Sequence, residues 1–194
     1  MIFNAENKNI KAASDLLIRG KIIVYPTDTL YGMGVDATNT DSIDKLNALK
    51  DRKSPLSIIV GSIKMLKRYA QVFDRDMIYL NKFLPGKFTF LLNEKDSDIS
   101  NKVTLNTGKI GIRIPESDFI VNVVNYINRP VITTSINIHG EKPINDINGI
   151  KCLFSDVSIF ADNASKESNG STIIDLAVSD GPKIIRKGDG VFNL

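Results

Sequence analysis

The sequence predicts a single α/β domain over residues 1–194, with a twisted, mixed β-sheet flanked by helices. A chain of 194 residues, 42% of them hydrophobic, is long enough to bury a substantial core. Short β-branched segments alternate along it with amphipathic helical segments. Because these segments do not follow a strict strand–helix–strand order, we expect both parallel and antiparallel neighbours in the sheet.

Side-chain spacing predicts the first elements of the chain. Apolar residues spaced three and four positions apart give residues 10–17 one helical face, and Gly20 follows at a position that often ends a helix. Residues 21–25 are short and β-branched, so they predict a strand that Pro26 ends. Thr40 is then expected to cap the next helix.

The remaining elements follow from the same signals. Ser62, Asp74 and Ser117 each precede a helical pattern, so we expect them to cap three helices. The last of these helices has the clearest apolar stripe, over residues 119–127. The predicted strands are residues 57–60, 88–92, 110–114, 130–134, 157–160, 172–176 and 183–186.

Composition excludes several kinds of site. The formal net charge of +3 is mildly basic, which neither requires nor excludes a nucleic-acid partner. Cys152 is the only cysteine and His139 the only histidine, so an intramolecular disulfide and a multi-histidine metal site are impossible. Since we find neither a signal-peptide pattern nor an apolar run of about 18 residues, we expect a cytoplasmic protein.

Common catalytic and nucleotide-binding motifs are missing from the sequence. The Walker phosphate loop, the G-x-S-x-G elbow and the H-E-x-x-H zinc motif do not occur. A Rossmann-like pattern starts at Gly32 and Gly34, but Ala37 stands at its third glycine position. An enzyme with this sequence is therefore expected to use positioning and positive charge rather than a histidine or thiol nucleophile.

Polar residues gather where the predicted strands end. Residues 25–34 place hydroxyls and a carboxylate in a glycine-bounded turn, which could equally well contain side chains that cap their own backbone. Residues 133–137 and 170–175 are two more hydroxyl-rich strand ends, and Arg186 lies at the end of the last strand. Because ligand sites in α/β sheets gather at strand ends, these segments together predict one binding site.

Three further cations have both a structural and a functional interpretation. Lys50 and Arg52 lie between a helix and a strand, where we expect them to be largely exposed. Cations there ordinarily interact with the helix dipole, but they would also suit a polyphosphate. Arg113 lies within an apolar strand, and a buried guanidinium needs an anionic partner, either a structural aspartate or a substrate carboxylate.

Seven of these segments carry motifs in a fixed order along the chain. They are residues 26–34, 50–56, 85–90, 111–115, 134–141, 171–175 and 185–188. In this order they resemble the YrdC family, the threonylcarbamoyl-AMP synthases. The match covers nearly the whole chain, and seven motifs in sequence are far more specific than any one of them.

The resemblance implies both a fold and a reaction. The fold would be a twisted mixed sheet with a concave, positively charged face. The reaction would convert L-threonine, bicarbonate or CO2, and ATP into threonylcarbamoyl-AMP and pyrophosphate. A downstream tRNA threonylcarbamoyl transferase complex would then use the product to modify an adenosine of tRNA. Mg²⁺ is expected to enter bound to ATP, with no metal ligand from protein side chains.

The resemblance also implies which residues hold each substrate. Lys50 and Arg52 would be catalytic and would bind the ATP phosphates. The nucleotide site would be completed by Ser135, Asn137 and Arg186. The L-threonine site would consist of Thr27, Arg113, Thr133 and Ser171, with Arg113 paired to the threonine carboxylate.

The chain departs from the family pattern at several positions, and two alternatives stay open. The segment between Arg52 and Pro55 is two residues shorter than in many relatives, Ile136 replaces an alanine and His139 replaces a serine. One alternative is a paralog without synthase activity, although Asn137 and the two cations before it favour the synthase branch. The other is an RNA-binding module with weak affinity, which the low aromatic content of 7% disfavours.

Overall fold

The computed structural model describes residues 1–137, 142–162 and 167–193, so the expectations that concern His139 lie outside the described residues. The strands are β1 (Ile2–Asn4), β2 (Ile23–Tyr25), β3 (Gly32–Gly34), β4 (Ser57–Ile59), β5 (Phe88–Asn93), β6 (Lys109–Arg113), β7 (Val131–Ser135), β8 (Ser158–Ala161), β9 (Thr172–Asp175) and β10 (Lys183–Arg186). The α-helices are α1 (Ile10–Ile18), α2 (Thr40–Lys50), α3 (Ile63–Tyr69), α4 (Asp74–Phe83), α5 (Asn101–Thr104), α6 (Asp118–Ile127) and α7 (Ile147–Leu153).

The strands form one mixed sheet in the order β1-β8-β2-β3-β7-β4-β6-β5-β9-β10. Strand β8 is parallel to both of its neighbours, and the pairs β4–β6 and β5–β9 are also parallel. The other neighbouring pairs are antiparallel. The mixed α/β architecture predicted from the sequence is therefore confirmed, whereas the concave basic face stays a prediction.

Apolar side chains of the helices and the sheet are buried together. The stripe of α6 is buried as its spacing predicts, with Ile120 and Val123 fully inaccessible, and α6 packs against α1. On the strands, Tyr25 and Phe90 are also fully buried. Each large apolar side chain removed from water contributes about 1.5–3 kcal/mol. None of the helices in the described part of the chain has the length and apolar character that a membrane crossing requires.

Helix termini agree closely with the predicted caps. Ser62 caps α3 as predicted. Two caps lie one residue earlier than expected. Asn39, and not Thr40, caps α2. Phe73, and not Asp74, occupies the cap position of α4. An asparagine side-chain oxygen accepts the orphan backbone N–H groups of a first helical turn as well as a threonine hydroxyl does.

Four elements were not predicted from the sequence, namely β1, β3, α5 and α7. Strand β3 contains two glycines, which have low strand propensity, yet it pairs with β2 and β7. A Cβ atom on Gly34 would lie 1.9 Å from the carbonyl oxygen of Ile132, so the approach of β7 requires glycine here. The formation of β3 therefore depends on the close approach of the neighbouring backbone and not on a pattern of side chains.

Candidate functional site

A cavity of about 180 Å³ lies against the sheet and receives residues from β3–β7, β9, β10 and the loop after β2. Because these strands are neighbours in the sheet, residues far apart in sequence meet there. Of the nine residues predicted for the two substrates, seven line this cavity: Thr27, Arg52, Arg113, Thr133, Ser135, Ser171 and Arg186. The other two, Lys50 and Asn137, are connected to it through Ser135.

Lys50 is buried, which corrects the expectation that it would be exposed. Only 3% of the residue is accessible, and its ammonium donates to the carbonyl oxygen of Ser135 and, at 3.1 Å, to Oδ1 of Asn137. The residue that follows α2, Asp51, has a left-handed backbone conformation at φ 47°. The chain reverses at this point, and the last side chain of the helix reaches the end of β7. Burial, followed by the nearby charge of Arg52, lowers the pKa of Lys50 to about 8.

Arg52 lies over the short turn that follows α2. Its Nε and Nη2 donate to the carbonyl oxygens of Ser54 and Pro55 at 3.3 and 2.8 Å, and its Nη1 donates to the hydroxyl of Thr134 at 3.2 Å. The guanidinium therefore joins the shortened turn to β7. Burial, followed by the charge of Arg186, lowers the pKa of Arg52. Both guanidinium groups line the same cavity.

Arg186 approaches the same cavity from the edge strand β10. Its Nη2 and Nε donate to the carbonyl oxygen of Ser171 at 2.7 and 3.3 Å. The hydroxyl of Ser171 in turn lies 2.8 Å from that of Thr89. In the part of the chain that the structure describes, no carboxylate forms an ion pair with Arg186, Arg52 or Lys50. The three cations therefore hold an uncompensated positive charge that suits an anionic ligand.

Arg113 pairs with a structural aspartate, which is one of the two anionic partners that the sequence left open. Its Nη2 lies 2.5 Å from Oδ1 of Asp28, and both side chains are about 95% buried, with 6% and 5% exposed. Its Nη1 donates to the hydroxyl of Thr29 at 3.3 Å, whereas Nε has no partner among the described residues. Burial lowers the pKa of Arg113, and the charge of Asp28 opposes that shift.

The loop after β2 supplies hydroxyl groups next to Arg113. The Thr27 hydroxyl donates to the carbonyl oxygen of Leu30 at 2.6 Å and accepts from the backbone N–H of Thr29 at 3.1 Å. Across the cavity, Thr133 of β7 lines the wall beside Gly32. The four residues predicted for L-threonine therefore all line the same cavity.

Several cavity residues were not assigned from the sequence. Thr29, Ser57 and Thr89 line the walls, and Asp28 lies directly behind Arg113. Thr89 had a detectable signal, because it is a hydroxyl between two phenylalanines on an otherwise apolar strand. Ser57 had none, since a serine at the start of a strand is ordinary.

Comparison with known proteins places the chain in a family. The family model Sua5_yciO_yrdC, described as "Telomere recombination", matches residues 15–188. A threonylcarbamoyl-AMP synthase of Wigglesworthia glossinidia brevipalpis is 31% identical over 193 residues, which cover 96% of this chain and 97% of that protein.

Two solved structures have the same fold. P. abyssi Sua5 complexed with L-threonine superposes with a TM-score of 0.88 at 23% identity, covering 97% of this chain but only 57% of that one. E. coli YciO superposes with a TM-score of 0.89 at 21% identity, covering 98% and 97%. Such low identities establish the fold alone. The match of the family model to residues 15–188 and the 31% identity to the Wigglesworthia protein show that the chain belongs to the Sua5/YciO/YrdC family.

Proposed function

We propose that this protein is an L-threonylcarbamoyladenylate synthase, a nucleotidyltransferase that joins L-threonine, CO2 or bicarbonate, and ATP. The observation that carries the proposal is a cavity in which uncompensated cations adjoin a hydroxyl-rich wall containing Arg113. Polyphosphate suits the first part, and a small amino acid suits the second. The name of the Wigglesworthia relative and the L-threonine bound to P. abyssi Sua5 support the same assignment.

The proposed reaction needs no side-chain nucleophile. The amine of L-threonine attacks the carbon of CO2 and loses a proton, which forms a carbamate. A carbamate oxygen then attacks the α-phosphorus of ATP, and the bond to the β-phosphate oxygen breaks with its electron pair leaving on pyrophosphate. The protein has to align two anions and stabilise the charge that develops between them.

In this proposal the cations hold the triphosphate. Arg52 and Arg186 face the cavity and would contact phosphate oxygens, while Lys50 would act from the end of β7 beside Ser135 and Asn137. The charge of Arg186 lowers the pKa of Arg52, and an anion bound near both guanidinium groups would offset this unfavourable interaction. Mg²⁺ would enter as MgATP, because phosphates and water, rather than these hydroxyls and cations, are its usual ligands.

The hydroxyl-rich wall would hold the amino acid. Arg113 would face the carboxylate, while Thr27, Thr133 and Ser171 would meet the amine and the side-chain hydroxyl. The product is a reactive mixed anhydride, and we propose that it passes in the cytoplasm to the complex that modifies tRNA.

Pyrophosphate release is expected to require both L-threonine and bicarbonate in addition to MgATP. The physical reason is that the carbamate is the attacking group, and it forms only when both components are present. The measurement is pyrophosphate release with each component omitted in turn, with threonylcarbamoyl-AMP detected by mass spectrometry. Equal release from MgATP alone would contradict the proposal and indicate an enzyme that hydrolyses ATP to AMP and pyrophosphate.

The affinity for ATP is expected to fall as the pH rises above about 8. Lys50 has a lowered pKa of about 8, and only its protonated form attracts phosphate, so raising the pH removes one binding charge. Between about pH 7 and about pH 9 the fall should approach tenfold. In Lys50→Arg the guanidinium stays protonated, and the fall should disappear. Calorimetric titration of both proteins at both pH values checks this, and equal pH dependence would rule out Lys50 as the titrating group.

A further inference from the structure

Asp28 bridges two parts of the chain at the cavity. Its Oδ1 accepts from Arg113 at 2.5 Å, and its Oδ2 accepts from the backbone N–H of Glu116 at 3.1 Å. A parallel connection joins the hydroxyl of Ser117 to the carbonyl oxygen of Pro26 at 2.9 Å. These hydrogen bonds connect the loop after β2 to the segment between β6 and α6. Arg113, the last residue of β6, takes part in them.

Hydrogen bonds among the described residues orient the hydroxyl groups of two threonines next to Arg113. A guanidinium only donates, so the Thr29 hydroxyl accepts from Nη1 of Arg113. Thr27 gives its own hydroxyl hydrogen to Leu30, so the 3.1 Å contact between the two threonine hydroxyls requires Thr29 to donate. The chain of hydrogen bonds runs in one direction, from Arg113 to the carbonyl oxygen of Leu30.

Arg113 differs in this respect from the other cations of the cavity. Lys50, Arg52 and Arg186 are held by carbonyl, amide or hydroxyl oxygens, whereas Arg113 alone among the four has a carboxylate partner within the described residues. Its position is thus held by a charged contact on one nitrogen and a directed hydroxyl on another. Contacts of this kind hold a binding group in place before the ligand arrives, which reduces the ordering cost of binding.

We propose that Asp28 and Thr29 are positioning residues that act through Arg113, holding its guanidinium in the orientation in which it meets the carboxylate of the amino-acid substrate. The inference rests on the proposed function, since it takes an amino acid as the ligand of this wall. It assigns to Asp28 and Thr29 a role in amino-acid affinity, with no role in ATP affinity.

The test compares ligand binding by three variants with ligand binding by the wild-type protein. Dissociation constants are measured by calorimetry for L-threonine, for L-threoninol, which lacks the carboxylate, and for α,β-methylene-ATP. We expect Asp28→Asn and Thr29→Val to weaken L-threonine binding by about tenfold or more, the usual effect of losing a hydrogen bond to a charged group. Affinity for L-threoninol and for the ATP analogue should change by less than about twofold, and Thr29→Ser should restore L-threonine binding.

A control is a second aspartate–arginine pair, in which the aspartate is buried and the arginine side chain is half-exposed. Oδ2 of Asp36 accepts from Nη1 of Arg129 at 2.9 Å, and neither residue lines the cavity. Asp36→Asn should therefore leave L-threonine binding unchanged. If Asp28→Asn and Thr29→Val bind L-threonine as wild type does, or lose affinity for all three ligands equally, the positioning role is overturned while the proposed function stands. If wild type neither binds L-threonine nor uses it for pyrophosphate release, the proposed function fails and this inference with it.

Discussion

Arg113→Ala is expected to lower the free energy of unfolding by about 3–5 kcal/mol, because it leaves the buried carboxylate of Asp28 without its partner. The variant should also lower kcat/KM for L-threonine by about 100-fold, since a charge-assisted contact to the substrate carboxylate is lost. Chemical denaturation and steady-state pyrophosphate release measure the two effects separately.

The double variant Arg113→Met with Asp28→Asn separates loss of stability from loss of function. Removing both charges of a buried ion pair is often neutral for stability, so most of the lost free energy of unfolding should return. Use of L-threonine should not return, because no guanidinium is left to meet the carboxylate. If Arg113→Ala keeps the kcat/KM of wild type, Arg113 is purely structural, and the amino acid binds elsewhere on the sheet.

Lys50→Ala and Arg52→Ala are expected to lower kcat by roughly 100- to 1,000-fold, by analogy with the loss of one oriented donor to a developing oxyanion. Arg52 lines the cavity in which the triphosphate would bind, and Lys50 lies beside it at the end of β7. The charge that develops on pyrophosphate is the charge they would stabilise. Lys50→Ala should also disturb Ser135 and Asn137, whose oxygens accept from the ammonium. The measurement is the rate of pyrophosphate release at saturating substrate.

The chain offers a matched control for each of these variants. Lys45 lies on the same helix as Lys50 and is exposed, and Lys53 is the exposed neighbour of Arg52. Lys45→Ala and Lys53→Ala should keep the kcat of wild type and change stability by less than about 0.5 kcal/mol. Turnover at the wild-type rate in Lys50→Ala and Arg52→Ala would show that these cations do not act on the phosphates.

Lys50 shows how a local pattern can predict the wrong environment for a side chain. A lysine in the last turn of a helix ordinarily interacts with the helix dipole at the surface, so the sequence favoured exposure. The left-handed residue Asp51 turns the chain back, and the ammonium reaches oxygens of Ser135 and Asn137, 85 and 87 positions away. No local pattern contains that contact, nor the burial that lowers the pKa of Lys50.

Elements with strong local signals, and the residue types that line the candidate site, could be predicted without the structure. Helical stripes such as that of α6, β-branched strands and cap residues such as Ser62 depend on interactions within a few positions, so they are readable without a fold. The hydroxyl-rich strand ends and the cations beside them were likewise visible as residue types.

Which of these residues lie around the same cavity depends on the order of the strands in the sheet. The strand order places β2, β3 and β7 beside β4, β6, β5, β9 and β10, and thereby collects residues between Thr27 and Arg186 around one cavity. It also settled the partner of Arg113, because Asp28 lies 85 positions away and on another element. The pairing of strands and of buried charges depends on packing between residues that are far apart in the sequence. Each local segment is compatible with many pairings, but the whole chain has one low-energy arrangement of the sheet.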